Sequence, residues 1–465
     1  MKIRFYGAAR TVTGSQHLIE VNGQKLLLEC GIFQGRRADF YARNCCFAFD
    51  PREIDAVILS HAHIDHSGNL PNLVKQGFNN PIYATPPTAE LAGIMLRDSA
   101  HIYEENADFY NRRKRKHGEP AIEALYSIED AEKVPGLFIS TGYEQPFEPI
   151  KGVTARFVDA GHILGSAAIV LDIEEKGKKT RLWFSGDIGR EKLPLLRDPV
   201  MPEKVDVLIM ECTYGDKSHR DPELAYVEFR DVVKRTIARG GKVIVPAFAI
   251  GRTQELVYDL NRMISAGELP RIPVFVDSPL AINATEIFQK YPDYFDDETH
   301  AFMRTGQHPA LTFPGLQYTR AVAESKAINE RDEPMVIISA SGMAEAGRIL
   351  HHLMHNIEDE RNTICIVSWQ APNTLGRRLA ERQERVRIFG EEVNVRAEVA
   401  TIGGLSAHAG QEMLLEYARS AKANGLKQIF LVHGEEEPAN ILMTKMREEG
   451  ISNVRYPEFG EIAEY

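Results

Sequence analysis

Short apolar runs rich in β-branched residues recur along the chain and alternate with stretches of helical periodicity. The runs that predict strands are LLLEC (26–30), AVILS (56–60), VDVLIM (205–210), KVIVPAF (242–248), IPVFVD (272–277), MVIISA (335–340), TICIVSW (363–369) and IFLVHG (429–434). Several are apolar throughout, which indicates strands buried on both faces. Stretches such as ELAYVEFRDVVKRTIARG (223–240) and RTQELVYDLNRMI (252–264) predict helices between them. This alternation predicts an α/β fold.

Length and charge narrow the class of protein. A chain of 465 residues, 43% hydrophobic and 26% charged, predicts a globular protein with two to four domains, two being the best fit. The formal net charge of −11 argues against a generic nucleic-acid-coating protein, which would be basic. An RNA substrate would therefore need local positive charge, supplied in part by metal ions. The run RRKRK (112–116) is either a solvated basic face or a contact for an anionic polymer.

The N-terminal sequence, the apolar runs and the cysteines indicate the cellular compartment of the protein. The N-terminal sequence MKIRFYGAARTVTGS lacks the apolar region of a signal peptide, and no run of 18 apolar residues predicts a membrane span. The five cysteines form no CxxC pair, so neither a disulfide framework nor a cysteine zinc site is indicated. Each is expected to be a small buried side chain. We therefore expect a cytoplasmic protein with no membrane association.

A cluster of ligand-type residues follows the predicted strand AVILS. In SHAHIDHSGNL (60–70), three histidines and an aspartate fall within six residues: His61, His63, Asp65 and His66. Packing four such groups together is costly unless a metal uses their lone pairs. In an extended segment His61 and His63 share one face, and Asp65 and His66 can turn towards a second metal. The spacing therefore favours a two-metal site.

Three further ligand candidates lie beside glycines at predicted strand ends. They are His162 in DAGHILGS, Asp187 in WFSGDIG and His433 in IFLVHGE. Each alone would be weak support, but together they complete two coordination spheres. Imidazole and carboxylate ligands suit zinc, and manganese would also accept this set. We expect two Zn²⁺ per chain, and a pair of such ions can activate water for a hydrolytic reaction.

These motifs resemble a known family. HAHIDH (61–66), followed by GH at 161–162, GD at 186–187 and HG at 433–434, resembles the metallo-β-lactamase fold family. ECTYG (211–215), GLSAHAG (404–410) and LVHGE (431–435) resemble, more narrowly, the β-CASP group of RNA- and DNA-processing nucleases. The blocks GAARTVTGSQHLIE (7–20), PAFAIGRTQELVY (246–258), VDSPLA (276–281) and SASGMAEAGRILHHL (339–353) extend the likeness over nearly the whole chain. Its compact form is similar to bacterial and archaeal homologues of the cleavage and polyadenylation specificity endonuclease.

The resemblance implies a role for each matching position. His61, His63 and His162 would hold the first zinc, Asp65, His66 and His433 the second, and Asp187 would bridge both. Asp65, His408 and Glu211 would be catalytic, with His408 as proton donor or phosphate contact, Glu211 as its orienting carboxylate, and Ser406 beside the scissile phosphate. One departure is Glu29-Cys30-Gly31, where many relatives have Asp-Cys-Gly. The longer carboxylate of Glu29 can re-aim the support that this position gives the metal loop.

The resemblance also implies the domain organisation. An αβ/βα sandwich would be built from residues 1–212 and 393–465, with an inserted α/β β-CASP domain at 213–392. A cleft between them would bind single-stranded RNA, because clefts at domain interfaces commonly hold substrates. The oligomeric state stays open.

Phosphate contacts are predicted from glycine-bearing turns. Ser341 and Gly342 precede a predicted helix whose N-terminus would offer N–H groups to an anion, although an ordinary helix cap explains the pattern as well. Arg252 in GRTQEL is a further candidate for a backbone phosphate contact. No G-x-x-x-x-G-K-[ST] sequence occurs, so use of a nucleoside triphosphate is not indicated.

The sequence thus predicts a zinc-dependent ribonuclease that hydrolyses phosphodiester bonds of single-stranded RNA. The chain lacks the extra domains of the RNase J and archaeal members and resembles compact endonuclease-like members, which favours internal cleavage. Three alternatives remain open: a zinc hydrolase of small molecules such as thioesters or lactams, a catalytically silent RNA-binding homologue, and a nuclease directed at DNA.

Overall fold

The apolar runs form the strands of two compact units in a computed structural model, which describes residues 1–35, 37–115, 121–305 and 309–465. The first unit comprises Met1–Glu191, Asp198–Ser218 and His408–Tyr465, and the second comprises Lys192–Arg197 and His219–Ala407. Among the described residues, no helix is both long enough and apolar enough to cross a membrane.

The elements follow one another along the chain in the predicted alternation. The strands are β1 Lys2–Phe5, β2 His17–Val21, β3 Gln24–Leu28, β4 Ala56–Ile58, β5 Ile82–Ala84, β6 Phe138–Ser140, β7 Phe147–Ile150, β8 Val153–Asp159, β9 Ala167–Glu175, β10 Lys178–Phe184, β11 Val207–Glu211, β12 Lys242–Pro246, β13 Val274–Val276, β14 Leu316–Tyr318, β15 Met335–Ser339, β16 Thr363–Ile366, β17 Arg385–Ile388, β18 Glu391–Asn394, β19 Glu398–Thr401, β20 Gln428–Val432, β21 Val454–Arg455 and β22 Ile462–Glu464. The helices are α1 Arg37–Asn44, α2 Ile64–Ser67, α3 Leu70–Lys75, α4 Pro86–Arg115, α5 Ile128–Lys133, α6 Pro222–Ala238, α7 Arg252–Ser265, α8 Pro279–Lys290, α9 Asp297–Thr305, α10 Val322–Glu330, α11 Ile349–Asn356, α12 Leu375–Ala380, α13 Gln411–Ala423 and α14 Glu436–Glu448.

The first unit is a sandwich of two seven-stranded sheets. Their strand orders are β22-β1-β2-β3-β4-β5-β6 and β21-β20-β11-β10-β9-β8-β7. Alternate side chains of both sheets, such as Phe5 of β1 and Ile169 of β9, share one apolar cluster, so the sheets pack face to face. Trp183 of β10 lies in a second cluster with Leu414 of α13 and Leu442 of α14, which cover the outer face of the second sheet. On the first sheet, α4 contacts β6 and packs with α5. The predicted αβ/βα sandwich is confirmed.

Parallel pairing places the carboxyl ends of several strands at common edges. In the first sheet β3, β4 and β5 run parallel, and in the second β10, β11 and β20 run parallel. The predicted strands LLLEC and AVILS end earlier than expected, because their last residues turn into loops that carry polar side chains. These carboxyl ends lead directly into the segments that bear the predicted ligands.

The second unit is a six-stranded parallel sheet of order β14-β13-β15-β12-β16-β19, accompanied by the hairpin β17–β18. The buried runs of β12 and β15 form its centre, as their continuous apolar pattern predicts. Residues 393–407 lie in this unit, where β19 pairs with β16. The boundaries predicted at 212 and 392 stay predictions.

Candidate metal centre

The predicted ligand cluster lies where β4 gives way to a short helix. His61 is the third residue after the strand and is fully buried, and His63 is the N-cap residue of α2. Asp65 and His66 lie within α2, one turn further on. The change from extended backbone to helix turns the second pair of side chains away from the first pair. The sequence therefore separates four ligand-type groups into two pairs.

Four donor groups converge around the first pair. The Nε2 atom of His61 lies 3.1 Å from Nδ1 of His63, and Nε2 of His162 lies 3.2 Å from that same Nδ1. The Oδ2 atom of Asp187 lies 3.4 Å from Nε2 of His61 and 3.6 Å from Nε2 of His162. One ligand atom from each of these four residues lies within 4.8 Å of the others. The group can hold one metal ion.

A second group forms around the other pair. Nε2 of His433 lies 3.3 Å from Oδ2 of Asp65, and Nε2 of His66 lies 3.2 Å from Oδ1 of Asp187. Oδ1 of Asp187 also lies 3.7 Å from Nε2 of His433. The two oxygens of Asp187 thus face different histidine sets, with Oδ2 towards the first group and Oδ1 towards the second. This is the arrangement a carboxylate needs to bridge two metal ions.

Two buried atoms of the site support occupancy by metal. Nε2 of His66 and Oδ1 of Asp187 are buried and have no hydrogen-bond partner within the described part of the chain. A buried polar atom without a partner costs free energy, and native proteins rarely tolerate one. The two atoms lie 3.2 Å from each other beside the second group, so a cation held there would give each of them a partner. The residues present therefore fit a metal.

Burial keeps the first group in the form that binds metal. It lowers the pKa of His61 to about 3 and that of His63 to about 4, and it places the pKa of His162 well below its ordinary value. Burial alone would raise the pKa of Asp187, but the charges of His433 and His66 outweigh it and hold the pKa well below its usual range. Neutral imidazoles and an ionised carboxylate are the forms that metal ligands require.

Glu29 supports the second pair from behind. Its Oε2 atom lies 2.5 Å from Nδ1 of His66, and its carboxylate also accepts hydrogen bonds from the amide and the hydroxyl of Ser60 at 2.6 and 3.0 Å. The Ser60 hydroxyl lies 3.0 Å from Nδ1 of His61. Outer contacts of this kind fix the tautomer and orientation of a metal-binding imidazole. The carboxylate of Glu29 thus reaches both histidine pairs through one network.

Tight backbone packing holds the Glu29 segment against α2. Glu29 itself has a φ of 65°, a left-handed conformation that is unusual for a residue with a side chain. A Cβ atom at Gly31 would lie 1.6 Å from the carbonyl oxygen of Asp65. Only glycine fits that position, which explains the glycine of the Glu-Cys-Gly sequence.

Thr213 contacts His433 and was not among the predicted site residues. Its hydroxyl lies 3.0 Å from Nδ1 of His433 and also bonds the His433 carbonyl oxygen at 3.0 Å. This contact leaves Nε2 of His433 facing Asp65 and Asp187. Ser60 directly precedes His61, and Thr213 follows Glu211 by two residues. This closeness to predicted functional residues at strand ends was the available signal for both.

His408 and Glu211 meet beside the first group. Nδ1 of His408 lies 3.1 Å from Oε1 of Glu211 and 3.9 Å from Oδ2 of Asp187. Glu211 is the last residue of β11 and is fully buried. Its Oε1 atom also accepts a hydrogen bond from the Ile188 amide at 2.7 Å. Burial opposes protonation of His408, but the charges of Glu211 and Asp187 prevail and raise its pKa to about 9. The His408 side chain is 23% exposed, so this protonated imidazole is open to a substrate.

The predicted phosphate contacts lie in the second unit. The helix predicted after the glycine-bearing turn at Ser341 and Gly342 begins at Ile349. Positive φ values at Ala344 and Gly347 interrupt the segment, and the Ser341 hydroxyl caps it locally by accepting the amide of Glu345 at 3.1 Å. The N–H groups of that turn are therefore not those of a helix terminus.

Arg252 and Ser406 also belong to the second unit. Arg252 begins α7, is 6% exposed and forms an ion pair with Glu255, which argues against the predicted phosphate contact. Ser406 is half-buried. The basic run 112–116 lies at the end of α4, with Lys116 outside the described residues.

Three family descriptions match successive parts of the chain. "Metallo-beta-lactamase superfamily" matches residues 10–199, "Beta-Casp domain" matches 253–379, and "Zn-dependent metallo-hydrolase RNA specificity domain" matches 392–457. These segments include every ligand candidate of the first unit.

Individual relatives match over nearly the full length. The protein is 38% identical to "Ribonuclease TTHA0252" of Thermus thermophilus over 98% of this chain and 99% of the relative. It is 31% identical to an "RNase J-like protein" of Methanocaldococcus jannaschii over 93% of this chain and 92% of the relative. It is 30% identical to "Transcription termination factor FttA" of Methanosarcina mazei over 94% of this chain and 67% of that protein. A crystal structure of a protein of unknown function from Enterococcus faecalis shares the fold, with a TM-score of 0.53, 12% identity and 99% of each chain covered.

Proposed function

The chain belongs to the metallo-β-lactamase superfamily and to its β-CASP group, and from this we propose that it is a zinc-dependent ribonuclease. Its substrate is single-stranded RNA, which it hydrolyses at internal phosphodiester bonds. The observation that carries the proposal is the carboxylate of Asp187, whose two oxygens face two separate histidine groups. The match to an RNA specificity domain and the name of the Thermus relative support RNA as the substrate.

We assign the ligands as follows. His61, His63 and His162 would hold one zinc ion, Asp65, His66 and His433 would hold the second, and Asp187 would offer one oxygen to each. The nitrogen and oxygen donor set suits zinc, with manganese as the alternative. Bound in pairs, such ions supply Lewis-acid activation of water and neutralise charge on the phosphate.

The protein's own groups supply the remaining chemistry. The leaving oxygen of the broken bond needs a proton, and a protonated histidine is a suitable donor. Glu211 engages Nδ1 of His408, which leaves the Nε2–H of that ring to donate. The raised pKa keeps His408 protonated at neutral pH in the chain alone, and bound cations nearby would lower that pKa towards neutrality. Asp65, with its side chain 20% exposed, is retained as a catalytic candidate through the metal ion that it would hold.

The residues that bind the RNA strand stay predictions. We retain Ser406, half-buried in the second unit, beside the scissile phosphate, and we retain the turn at Ser341 and Gly342 as a phosphate contact. We do not retain Arg252, because its guanidinium is buried against Glu255.

The test uses purified protein with its metal content measured on the same sample. A single-stranded RNA labelled at one end is incubated with the protein, with and without chelator, beside DNA of the same sequence. We expect two zinc ions per chain, internal fragments from RNA, and loss of cleavage with chelator. The DNA strand distinguishes a ribonuclease from a general nuclease, because only RNA offers the 2′-hydroxyl.

Three results would contradict the proposal in different ways. Faster cleavage of DNA than RNA would identify a deoxyribonuclease. Two bound zinc ions, no nuclease activity and turnover of a thioester or lactam would identify a small-molecule hydrolase. Tight RNA binding without cleavage in zinc or manganese would identify a silent RNA-binding homologue.

A further inference from the structure

Two adjacent thiols depart from the pattern of the other cysteines. Cys30, Cys212 and Cys365 are buried, as the sequence predicts, but Cys45 is only half-buried and Cys46 is exposed. The expectation of burial is wrong for this pair, because both follow the last residue of α1 at the surface of the first unit. Their Sγ atoms lie 3.1 Å apart.

The pair is more accessible to oxidants than the other three thiols. Burial raises the pKa of Cys30 and Cys212 well above the ordinary value and raises that of Cys365 to about 12, so these thiols stay protonated and inert. The contact with Cys46 raises the pKa of Cys45, and Cys46 is the more exposed of the two side chains. An exposed cysteine whose sulfur touches that of a second cysteine is the arrangement of a redox-sensitive pair.

The residue before the pair braces the segment that supports the candidate metal centre. Asn44 is 1% exposed, and its side chain accepts the Phe33 amide at 2.9 Å and donates to the Phe33 carbonyl at 2.9 Å. Its own carbonyl oxygen accepts hydrogen bonds from the side chains of Asn72 at 2.8 Å and Asn69 at 3.2 Å. Asn44 therefore ties the segment Cys30–Phe33 to the start of α3.

That segment in turn contacts the helix bearing Asp65 and His66. The amide of Cys30 donates to the His66 carbonyl at 2.8 Å, and the amide of Ile32 donates to the Ile64 carbonyl at 3.1 Å. Gly31 packs directly against the Asp65 carbonyl. Hydrogen bonds therefore connect Asn44 to Phe33, and the segment that ends at Phe33 to α2.

We propose that Cys45 and Cys46 form a peroxide-sensitive dithiol, whose closure to a disulfide loosens the brace at Asn44 and weakens metal retention in α2. The more exposed Cys46 sulfur attacks one oxygen of the peroxide; the O–O bond breaks, the thiol proton leaves with the other oxygen as water, and a sulfenic acid forms. The Cys45 thiol then attacks the sulfenic sulfur, the S–O bond breaks, and a second water leaves as the disulfide forms. In sum, two thiols and one hydrogen peroxide give one disulfide and two waters. The effect on metal and cleavage rests on the proposed function, whereas the thiol reaction does not.

Geometry explains why closure must move the backbone. Neighbouring Cα atoms are about 3.8 Å apart across a trans peptide, whereas disulfides usually join Cα atoms about 4.4–6.8 Å apart. The ring therefore forms only with local distortion, next to Asn44. Strained and exposed disulfides are also the readily reduced ones, so the change is reversible by thiol reductants.

The experiment treats the metal-loaded protein with hydrogen peroxide and measures peptide mass, metal release to a chelator and RNA cleavage. We expect the mass of the peptide containing Cys45 and Cys46 to fall by two hydrogen atoms. We also expect metal release to become about tenfold faster, because the loss of an outer contact to a metal ligand typically weakens metal affinity by about 10–100-fold. Dithiothreitol should reverse both changes. The variants Cys45→Ser and Cys46→Ser should resist them, and Cys365→Ser, a buried-thiol control, should respond like the parent.

Two results would overturn the inference. Oxidation to sulfinic acid, linkage between two chains, or no reaction at the pair would refute the dithiol. A disulfide that forms while metal release and cleavage stay unchanged would refute the coupling to α2. Because mass and metal release are measured without RNA, failure of the proposed ribonuclease function would be seen separately, as unreacted RNA in the untreated sample.

Discussion

Nδ1 of His408 lies 3.1 Å from Oε1 of Glu211, although the two residues are 197 positions apart in the sequence. The pairing depends on backbone contacts on both sides of the histidine. Gly189 pairs with His408 and Tyr214 pairs with Gly410 in isolated β-bridges, and the Ala409 amide donates to the Ile188 carbonyl at 2.7 Å. These contacts set the imidazole beside a carboxylate that burial has fixed in place.

Replacing Glu211 by glutamine should shift the alkaline limb of the pH–rate profile. The charge of Glu211 raises the pKa of His408, so the protonated donor persists to higher pH in the parent and is lost as pH rises through that pKa. Without the charge the limb should move to lower pH by about 1–3 units. The measurement is kcat for RNA cleavage across pH 6 to roughly 10.

A double variant is the control for this effect. His408→Ala alone should slow cleavage by about 10²–10⁴-fold with near-normal metal content. Adding Glu211→Gln to it should leave the remaining pH profile where it is. A shift of equal size in the absence of His408 would show that Glu211 acts through another group.

Replacing Asp187 by alanine should remove metal and activity together. Both of its oxygens face histidine groups, so the change removes a donor from each. We expect a loss of at least one zinc ion per chain and a fall in activity of more than about a hundredfold, beyond the range of outer contacts. Metal analysis and RNA cleavage on the same sample measure this. Asp172→Ala, on the exposed face of β9, is the matched control and should keep both metals and full activity. Full activity with both metals retained in Asp187→Ala would refute the assignment.

Shortening Glu29 to aspartate should weaken the second metal site. The glutamate reaches Nδ1 of His66 and both donors of Ser60 at once, and loss of one methylene withdraws the carboxylate from one of these partners. Outer contacts of metal ligands contribute about 10–100-fold in affinity, so we expect a decrease in that range. Competition with a zinc indicator measures it. As a control, Glu20→Asp on the neighbouring strand β2 should leave the zinc affinity unchanged. Unchanged zinc affinity in Glu29→Asp would mean that the longer side chain of Glu29 is not required.

Replacing Asp259 by asparagine should stabilise the protein at neutral and alkaline pH. Burial raises the pKa of Asp259 from 3.8 to about 7, and one of its oxygens has no hydrogen-bond partner among the described residues. A carboxyl group with a raised folded-state pKa contributes most stability below its unfolded pKa and loses it as pH rises through the folded pKa. The advantage of asparagine should therefore grow from about pH 4, level off above about pH 7, and reach at most about 4 kcal/mol.

Thermal unfolding of both proteins across this pH range tests the prediction. The exposed Asp231→Asn is the control, and it should show no such trend. A difference between Asp259→Asn and the parent that does not depend on pH would mean that the Asp259 carboxyl is not protonated in the folded chain.

The sequence by itself predicted most of the elements and the candidate ligands. Continuous apolar runs predicted β12 and β15 at the centre of a sheet, because strands covered on both faces have no polar side. The cluster from His61 to His66 predicted a metal site, because so many imidazoles and carboxylates in one short segment have few other uses. The pattern around Ser341 predicted a turn that leads into a helix, but only the structure shows the positive φ values of that turn and the start of the helix at Ile349.

Only the tertiary structure decided how these residues act together. The division of the Asp187 oxygens between two histidine groups, the reach of Glu29 to both Ser60 and His66, and the contact of Thr213 with His433 all join residues that are distant in the chain. Sequence periodicity reports which face of an element is buried, but not which distant side chain lies opposite it. Parallel pairing of β11 with β20 brings Glu211 and His433 to one edge, and that pairing is a property of the folded sheet.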